Sequence, residues 1–332
     1  MTQFDFKSLS DLAGQRLMFG FEGQTLNAEL KYLIKEYRVG GIILFRSNIK
    51  SAEQLRRLCM DARKYALDQG LPDLFVAVDQ EGGKVARLRK PFTEFPGNPH
   101  IKTIDDAREF ARITASELSD MGINMNMAPV MDVAPSDVDS IMKDRAFTGG
   151  AKRVSQLGSA VIQGLQKGGV MAVAKHFPGI GRTVKDSHSF LPELDAELSD
   201  LKQTDLLPFE AAKKAQVSGI MLSHIFYPKL DPDWQASLSK TIAYDLLRQD
   251  MEYQGLVMTD DLDMKAISHD MDTCIHRIMI AQIDMALVCH AGPNITEARE
   301  AMMRYLEKNA ELFESGRVCV KRILAAKETF LV

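Results

Sequence analysis

Short apolar runs, polar breaks and amphipathic stretches alternate along this chain. Eight runs carry the pattern, at residues 16–20, 41–45, 74–79, 123–129, 170–175, 219–224, 256–260 and 285–289. Several are apolar on successive residues, as strands of a parallel sheet buried on both faces must be. The stretches between them follow the helical period. Residues 52–66 place Leu55, Leu58, Cys59, Ala62 and Ala66 on one face, and residues 105–118 and 154–165 read the same way. Eight strand–helix units of roughly 30 residues each predict an α/β protein, a single (β/α)8 TIM-type barrel with a C-terminal helical tail. Asn294 with Glu297 predicts a capping box at the start of the first tail helix. A doubly wound open sheet is the competing architecture; it does not require eight units, and no G-x-G-x-x-G follows the first strand. No low-complexity stretch or Pro/Gly/Ser linker divides the chain, so one domain over residues 1–332 is expected.

A barrel of this kind builds its site where the strands end. The third run ends in Asp79, followed by Gln80-Glu81-Gly82-Gly83 and, further on, Arg87. The fourth ends near Asn126 and Asp132, with Asp144-Arg145 beyond. The fifth ends in Lys175-His176, the sixth in Ser223-His224 and the seventh in Thr259-Asp260-Asp261. Any one of these reads as a cap or a solvated charge. Their coincidence at five successive strand ends points to a site. A purely structural layer of ion pairs belongs at the opposite face of the barrel.

The richest stretch is 174–192, AKHFPGIGRTVKDSHSFLP, a buried strand running into a long polar loop. Within it, Asp186 stands two residues before His188. On a non-helical loop such an aspartate can hold one ring nitrogen and raise the basicity of the other, giving a proton shuttle near neutral pH. Taken alone, the pair reads first as a surface turn with a locally satisfied histidine, because chance matches to so short a pattern are common.

Composition narrows the classes. The chain has 332 residues, is 45% hydrophobic and carries 41 basic against 45 acidic residues, a net charge of −4. No strong field favours nucleic acid or an anionic membrane. The N-terminus lacks the basic start and apolar core of a signal peptide, and no apolar run is long enough for a bilayer, so a soluble cytoplasmic protein is expected. Cys59, Cys274, Cys289 and Cys319 lie far apart and read as free core thiols. Met125, Met127, Met258 and Met264, in or beside the strands, read as core filler. Trp234 reads as a loop anchor or as a platform for a sugar face.

The carboxylates Asp79, Asp260 and Asp261, the cations Lys175, Arg87 and Arg145 and one oriented histidine exclude several chemistries by what accompanies them. There is no G-x-S-x-G elbow and no P-loop. A metal held by His176, His188, His224 and aspartates would be repelled by the neighbouring cations, and no cofactor fingerprint is present. An ionised carboxylate with a separate proton donor suits glycoside cleavage, with His188 in place of the usual carboxylic acid.

The motif K-H-F-P-G-x-G-x-T-x-x-D-S-H-x-x-L-P over residues 175–192 resembles the signature of the family 3 glycoside hydrolases, in the branch of single-domain bacterial β-N-acetylglucosaminidases of cell-wall recycling. Further blocks are similar in order along nearly the whole chain: residues 40–45, 78–83, 144–147, 221–224 and 259–264. The resemblance implies Asp260 as the nucleophile of a retaining mechanism with a covalent glycosyl-enzyme, and His188, oriented by Asp186, as the acid/base. It implies that Asp79, Arg87, Arg145, Lys175 and His176 bind the sugar, with no metal and no organic cofactor. The implied substrate is a muropeptide bearing a terminal β-linked N-acetylglucosamine. The expected partner is thus a small carbohydrate, with no nucleic acid, no membrane and a monomeric chain. A β-glucosidase, an N-acetylglucosamine phosphorylase and a non-catalytic sugar-binding protein remain as alternatives on the same fold. Ile180, Arg182, Gln235 and Ile283 depart from the family pattern. Gly179 and Gly181 suggest hinges for a mobile loop carrying His188.

Overall fold

The computed structural model describes residues 8–184 and 192–331. All eight apolar runs form strands of one closed parallel barrel. In chain order the strands are β1 (Leu17–Phe19), β2 (Gly41–Leu44), β3 (Phe75–Val78), β4 (Gln80–Gly82), β5 (Val85–Ala86), β6 (Met125–Asn126), β7 (Met171–Phe177), β8 (Gly219–Leu222), β9 (Leu256–Asp261) and β10 (Met285–Val288). Around the barrel the order is β1-β10-β9-β8-β7-β6-β3-β2, and β2 pairs with β1 to close it. The short pair β4 and β5 forms a separate antiparallel ribbon directly after β3. Gly82 and Gly83 make its turn at φ +87° and +60°, and a Cβ on Gly83 would meet the Pro96 carbonyl at 2.8 Å.

The helices form where the period placed them. In the helix Ala52–Asp68 the buried residues are Leu55, Leu58, Cys59, Ala62 and Ala66, and Ser51 caps its N-terminus by accepting from the Gln54 amide. Each leucine so buried contributes about 1.5–3 kcal/mol. The helix Ile104–Asp120 begins with a capping box between Thr103 and Asp106. The expected capping box at Asn294 and Glu297 is overturned. The helix Pro293–Lys308 is capped by Gly292, with Pro293 in the first position, where a missing N–H costs nothing. The Asn294 side chain instead donates to Asp263 at 2.7 Å.

The barrel interior is filled by inward-facing side chains, among them Met125, Met127, Met258 and Phe75. The core-filler reading holds for those three methionines. It fails for Met264, which lies just past β9 at 43% exposure. All four cysteines are free and buried. At the N-terminal ends of the strands, the C-terminal helix Ala310–Phe330 lies across the opening and adds Ile323 to the interior cluster. Buried charge gathers there. Asp284, wholly buried, pairs with Arg248 and with Arg322 at 2.8 Å, and Arg16 donates to the Ile283 carbonyl at 2.8 Å. No helix among the described residues is long and apolar enough to cross a membrane.

Candidate active site

At the other end of the barrel the strand ends converge as the sequence pattern required. Lys175, on β7, is the centre of a chain of charge. Its ammonium lies 2.8 Å from Asp79 and 2.7 Å from Glu81. Asp79 accepts on its second oxygen from Arg87 at 2.9 Å, and Glu81 accepts both forks of Arg145 at 2.7 and 3.0 Å. The turn after β3 makes this pairing. Asn126 of β6 exchanges hydrogen bonds with the Gln80 backbone, so the ribbon folds back and the Arg87 amide reaches the Asp79 carbonyl at 3.2 Å.

Burial pushes the Asp79 carboxyl up, but Lys175 and Arg87 outweigh it and hold the group down at about 2. Glu81 is lowered for the same reason, burial being overcome by Lys175 and Arg145. Burial disfavours the Lys175 charge, yet Asp79 and Glu81 raise its pKa above the ordinary lysine value. All three are therefore charged at neutral pH. Each oxygen of Asp79 keeps a lone pair for a hydroxyl donor.

Asp79, Arg87, Arg145, Lys175, His176 and Asp260 line one cavity of about 250 Å³, with Met127 and Met221 among its apolar walls. A second cavity of about 240 Å³ shares Arg145, His176 and Asp260 with it and is otherwise mostly apolar, with Ile141, Ile180 and Ile225. A larger cavity of about 600 Å³, lined by residues 133–138 and 146–151 among others, holds none of the charged chain. Size alone does not locate the chemistry. Phe45 walls the first cavity, with the Arg87 guanidinium 5.3 Å from its ring centre and His290 stacked at 6.0 Å.

His176 projects from β7 with its Nδ1 2.8 Å from Asp132 and its Nε2 3.5 Å from Arg145. The first half of the following loop is tightly held. Asp132 accepts the Ile180 amide at 2.8 Å, Tyr227 donates to the Gly179 carbonyl at 3.0 Å, and Arg182 pairs with the buried Asp205 at 2.8 Å. A Cβ on Gly181 would sit 2.1 Å from the Val133 carbonyl. Gly179 and Gly181 are thus sites of close approach, with neighbours packed against them, which argues against the hinge expectation. Asp186 and His188 lie outside the described residues.

Three other candidates, His224, Asp261 and Trp234, resolve differently. Both ring nitrogens of His224 are engaged, Nδ1 with the Ser237 hydroxyl at 2.6 Å and Nε2 with the Asp261 carbonyl at 2.8 Å; burial lowers its pKa, so it is a neutral structural histidine. Burial raises Asp261, one of whose oxygens accepts the Asp263 and Cys289 amides. Asp261, Asp263 and His290 bring donor atoms within 4.8 Å of one another, close enough to hold a cation. Those carboxylates already serve the Asp263, Cys289 and His290 amides, so their arrangement is explained without one. Trp234 is a loop anchor, gripped by Arg277 at 4.2 Å and His269 at 4.9 Å. Sequence reasoning passed over Glu81 and Phe45 as site residues and noted Asp132 only as a strand end. Phe45 closes the second apolar run, Glu81 lies two residues past the third and Asp132 three past the fourth, and that proximity was the available signal.

The chain matches the glycosyl hydrolase family 3 N terminal domain over residues 8–330. A beta-hexosaminidase of Pseudomonas aeruginosa is 34% identical over 294 residues, covering 87% of this chain and 86% of the relative. Among solved structures, a family 3 β-N-acetylglucosaminidase from Paenibacillus sp. str. FPU-7 superposes with a TM-score of 0.91 at 34% identity, over 98% of this chain but only 63% of that longer one. NagZ from Neisseria gonorrhoeae, in complex with N-trifluoroacetyl-D-glucosamine, superposes with a TM-score of 0.75 at 26% identity, over 93% of this chain and 98% of its own. A shared family match and these long alignments agree with the barrel and its charged mouth: the chain belongs to glycosyl hydrolase family 3.

Proposed function

We propose that this chain is a retaining exo-β-N-acetylglucosaminidase. One observation carries the reading: Asp260 lines the same small cavity as Asp79, Arg87, Arg145, Lys175 and His176. A terminal sugar there meets acceptors and donors for its hydroxyls on one side and a carboxylate at its reacting carbon on the other. Asp260 attacks that carbon and forms the glycosyl ester. Asp79 cannot serve as the acid, because Lys175 and Arg87 keep it ionised. Glu81 is likewise committed to Lys175 and Arg145. The proton for the leaving oxygen comes from His188, held in its tautomer by Asp186, and the same histidine then activates water. No metal or organic cofactor takes part.

The relatives named beta-hexosaminidase and β-N-acetylglucosaminidase support N-acetylglucosamine as the sugar. Its natural source, on this reading, is a muropeptide in peptidoglycan recycling, met in the cytoplasm by a monomeric, single-domain enzyme. The test is release of p-nitrophenol from the N-acetyl-β-D-glucosaminide and from the β-glucoside, with Asp260→Ala beside the wild type. The N-acetyl substrate should be preferred, and the variant should lose roughly a thousandfold or more in kcat. Preference for the glucoside overturns the sugar assignment, sugar 1-phosphate in phosphate buffer overturns hydrolysis, and an active variant removes Asp260 from its role.

A further inference from the structure

Asp132 is wholly buried at the end of the β6 segment, where Val130 and Met131 pair with Lys175 of β7. Its two oxygens do different things. One faces His176 Nδ1 at 2.8 Å. The other accepts two backbone amides, His176 at 3.3 Å and Ile180 at 2.8 Å. Nε2 lies 3.5 Å from an Arg145 nitrogen that can only donate, so Nε2 is the accepting nitrogen and Nδ1 carries the hydrogen that it gives to Asp132. Both side chains line the cavity, where a substrate hydroxyl can take the place of the long Arg145 contact. The ring is thereby set to accept from a substrate hydroxyl.

We infer that Asp132 is a positioning residue of the reaction: one oxygen fixes the tautomer of His176, and the other fixes where the chain leaves β7. This rests on the glycosidase reading above, in which His176 touches the sugar. Asp132→Asn separates the two tasks. The amide oxygen still accepts the His176 and Ile180 amides, but the amide nitrogen now donates toward Nδ1. The ring must move its hydrogen to Nε2, where it confronts Arg145 and cannot accept from the sugar. Asp132→Ala loses both tasks.

The expected result is a fall of about 10–100-fold in kcat/KM for Asp132→Asn, with a larger fall for Asp132→Ala. In a His176→Ala background the Asp132→Asn change should cost less than about twofold, because its target is gone. The His176 ring nitrogens, read by long-range 1H–15N correlation at about pH 8, should show hydrogen on Nδ1 in the wild type. Hydrogen on Nε2 in the wild type, or an Asp132→Asn loss undiminished without His176, overturns the inference. The wild-type tautomer needs neither a stable variant nor turnover. If the wild type fails to cleave the N-acetyl-glucosaminide, the proposed function falls while the tautomer still decides the claim about Asp132.

Discussion

The two ends of the barrel both bury charge, and they dispose of it differently. At the bottom, Asp284 spends one oxygen on Arg322 and the other on Arg248 and the Val257 amide, under the C-terminal helix. At the top, Asp79 and Glu81 alternate with Arg87, Lys175 and Arg145, all but Glu81 lining a cavity, and Asp79 keeps acceptor capacity toward the open space. Ion pairing by itself does not distinguish a site from a structural rivet. Access does: a carboxylate sealed inside the protein, as Asp284 is, holds the fold together, and one with a lone pair facing a cavity can hold a ligand.

Three changes break or sharpen this contrast. Lys175→Met leaves two buried carboxylates short of their shared cation. It should cost about 3–5 kcal/mol of stability and at least about a hundredfold in kcat/KM. Arg248→Met, at the bottom, should cost a similar amount in denaturant unfolding, while kcat/KM per folded molecule stays at the wild-type value. Equal activity losses in the two variants would erase the distinction. A smaller effect appears in acid. Folded Asp79 releases its proton more readily than the unfolded chain does, so it stabilises the fold by about 2 kcal/mol above pH ~4. That contribution is lost as the pH falls toward its folded value of about 2. The stability of Asp79→Asn should decline less steeply than the wild type between these limits.

The smallest effect belongs to the bottom. Lys327 is buried, 2.9 Å from the Gln15 amide oxygen and 5.3 Å from the centre of the Phe75 ring, and burial lowers its pKa to about 7. Between that value and the ordinary lysine range near 10.4, the unfolded chain binds a proton the folded chain does not, so stability rises with pH. Lys327→Met should stabilise by about 1 kcal/mol or more, with the greater gain near pH 6 than near pH 10, and with activity unchanged. Thermal melts at both values check it. A variant less stable at both would show that the Gln15 contact outweighs the buried charge.

The barrel was legible because its strands are buried on both faces and its helices on one, so each of the eight runs and the face of helix Ala52–Asp68 stood out by composition alone. The convergence of Asp79, Arg87, Arg145, Lys175, His176 and Asp260 was legible for the same reason, since closing the barrel brings strand ends together whatever their separation in sequence. Glu81 was not singled out, because its meaning lies in Lys175, 94 positions on, and a glutamate two residues past an aspartate looks like any polar turn. The Asn294 cap failed because a tertiary acceptor, Asp263, competed for its side chain and won. Met264 failed because strand adjacency says nothing about which side of the last residue the solvent lies on.

The pairing of β1 with both β2 and β10 has a further consequence for biosynthesis. The edge of Leu17–Phe19 that faces Met285–Val288 is made early and answered late. At roughly 5–20 residues per second, the ribosome takes about 10–50 s to deliver the partner strand. Through that interval the nascent chain carries an unpaired apolar edge of the kind that other chains pair with. Even then the interior stays open until Ile323 emerges to seal it. This architecture cannot be finished piecemeal during translation, and the growing chain is exposed to aggregation until Ile323 has left the exit tunnel.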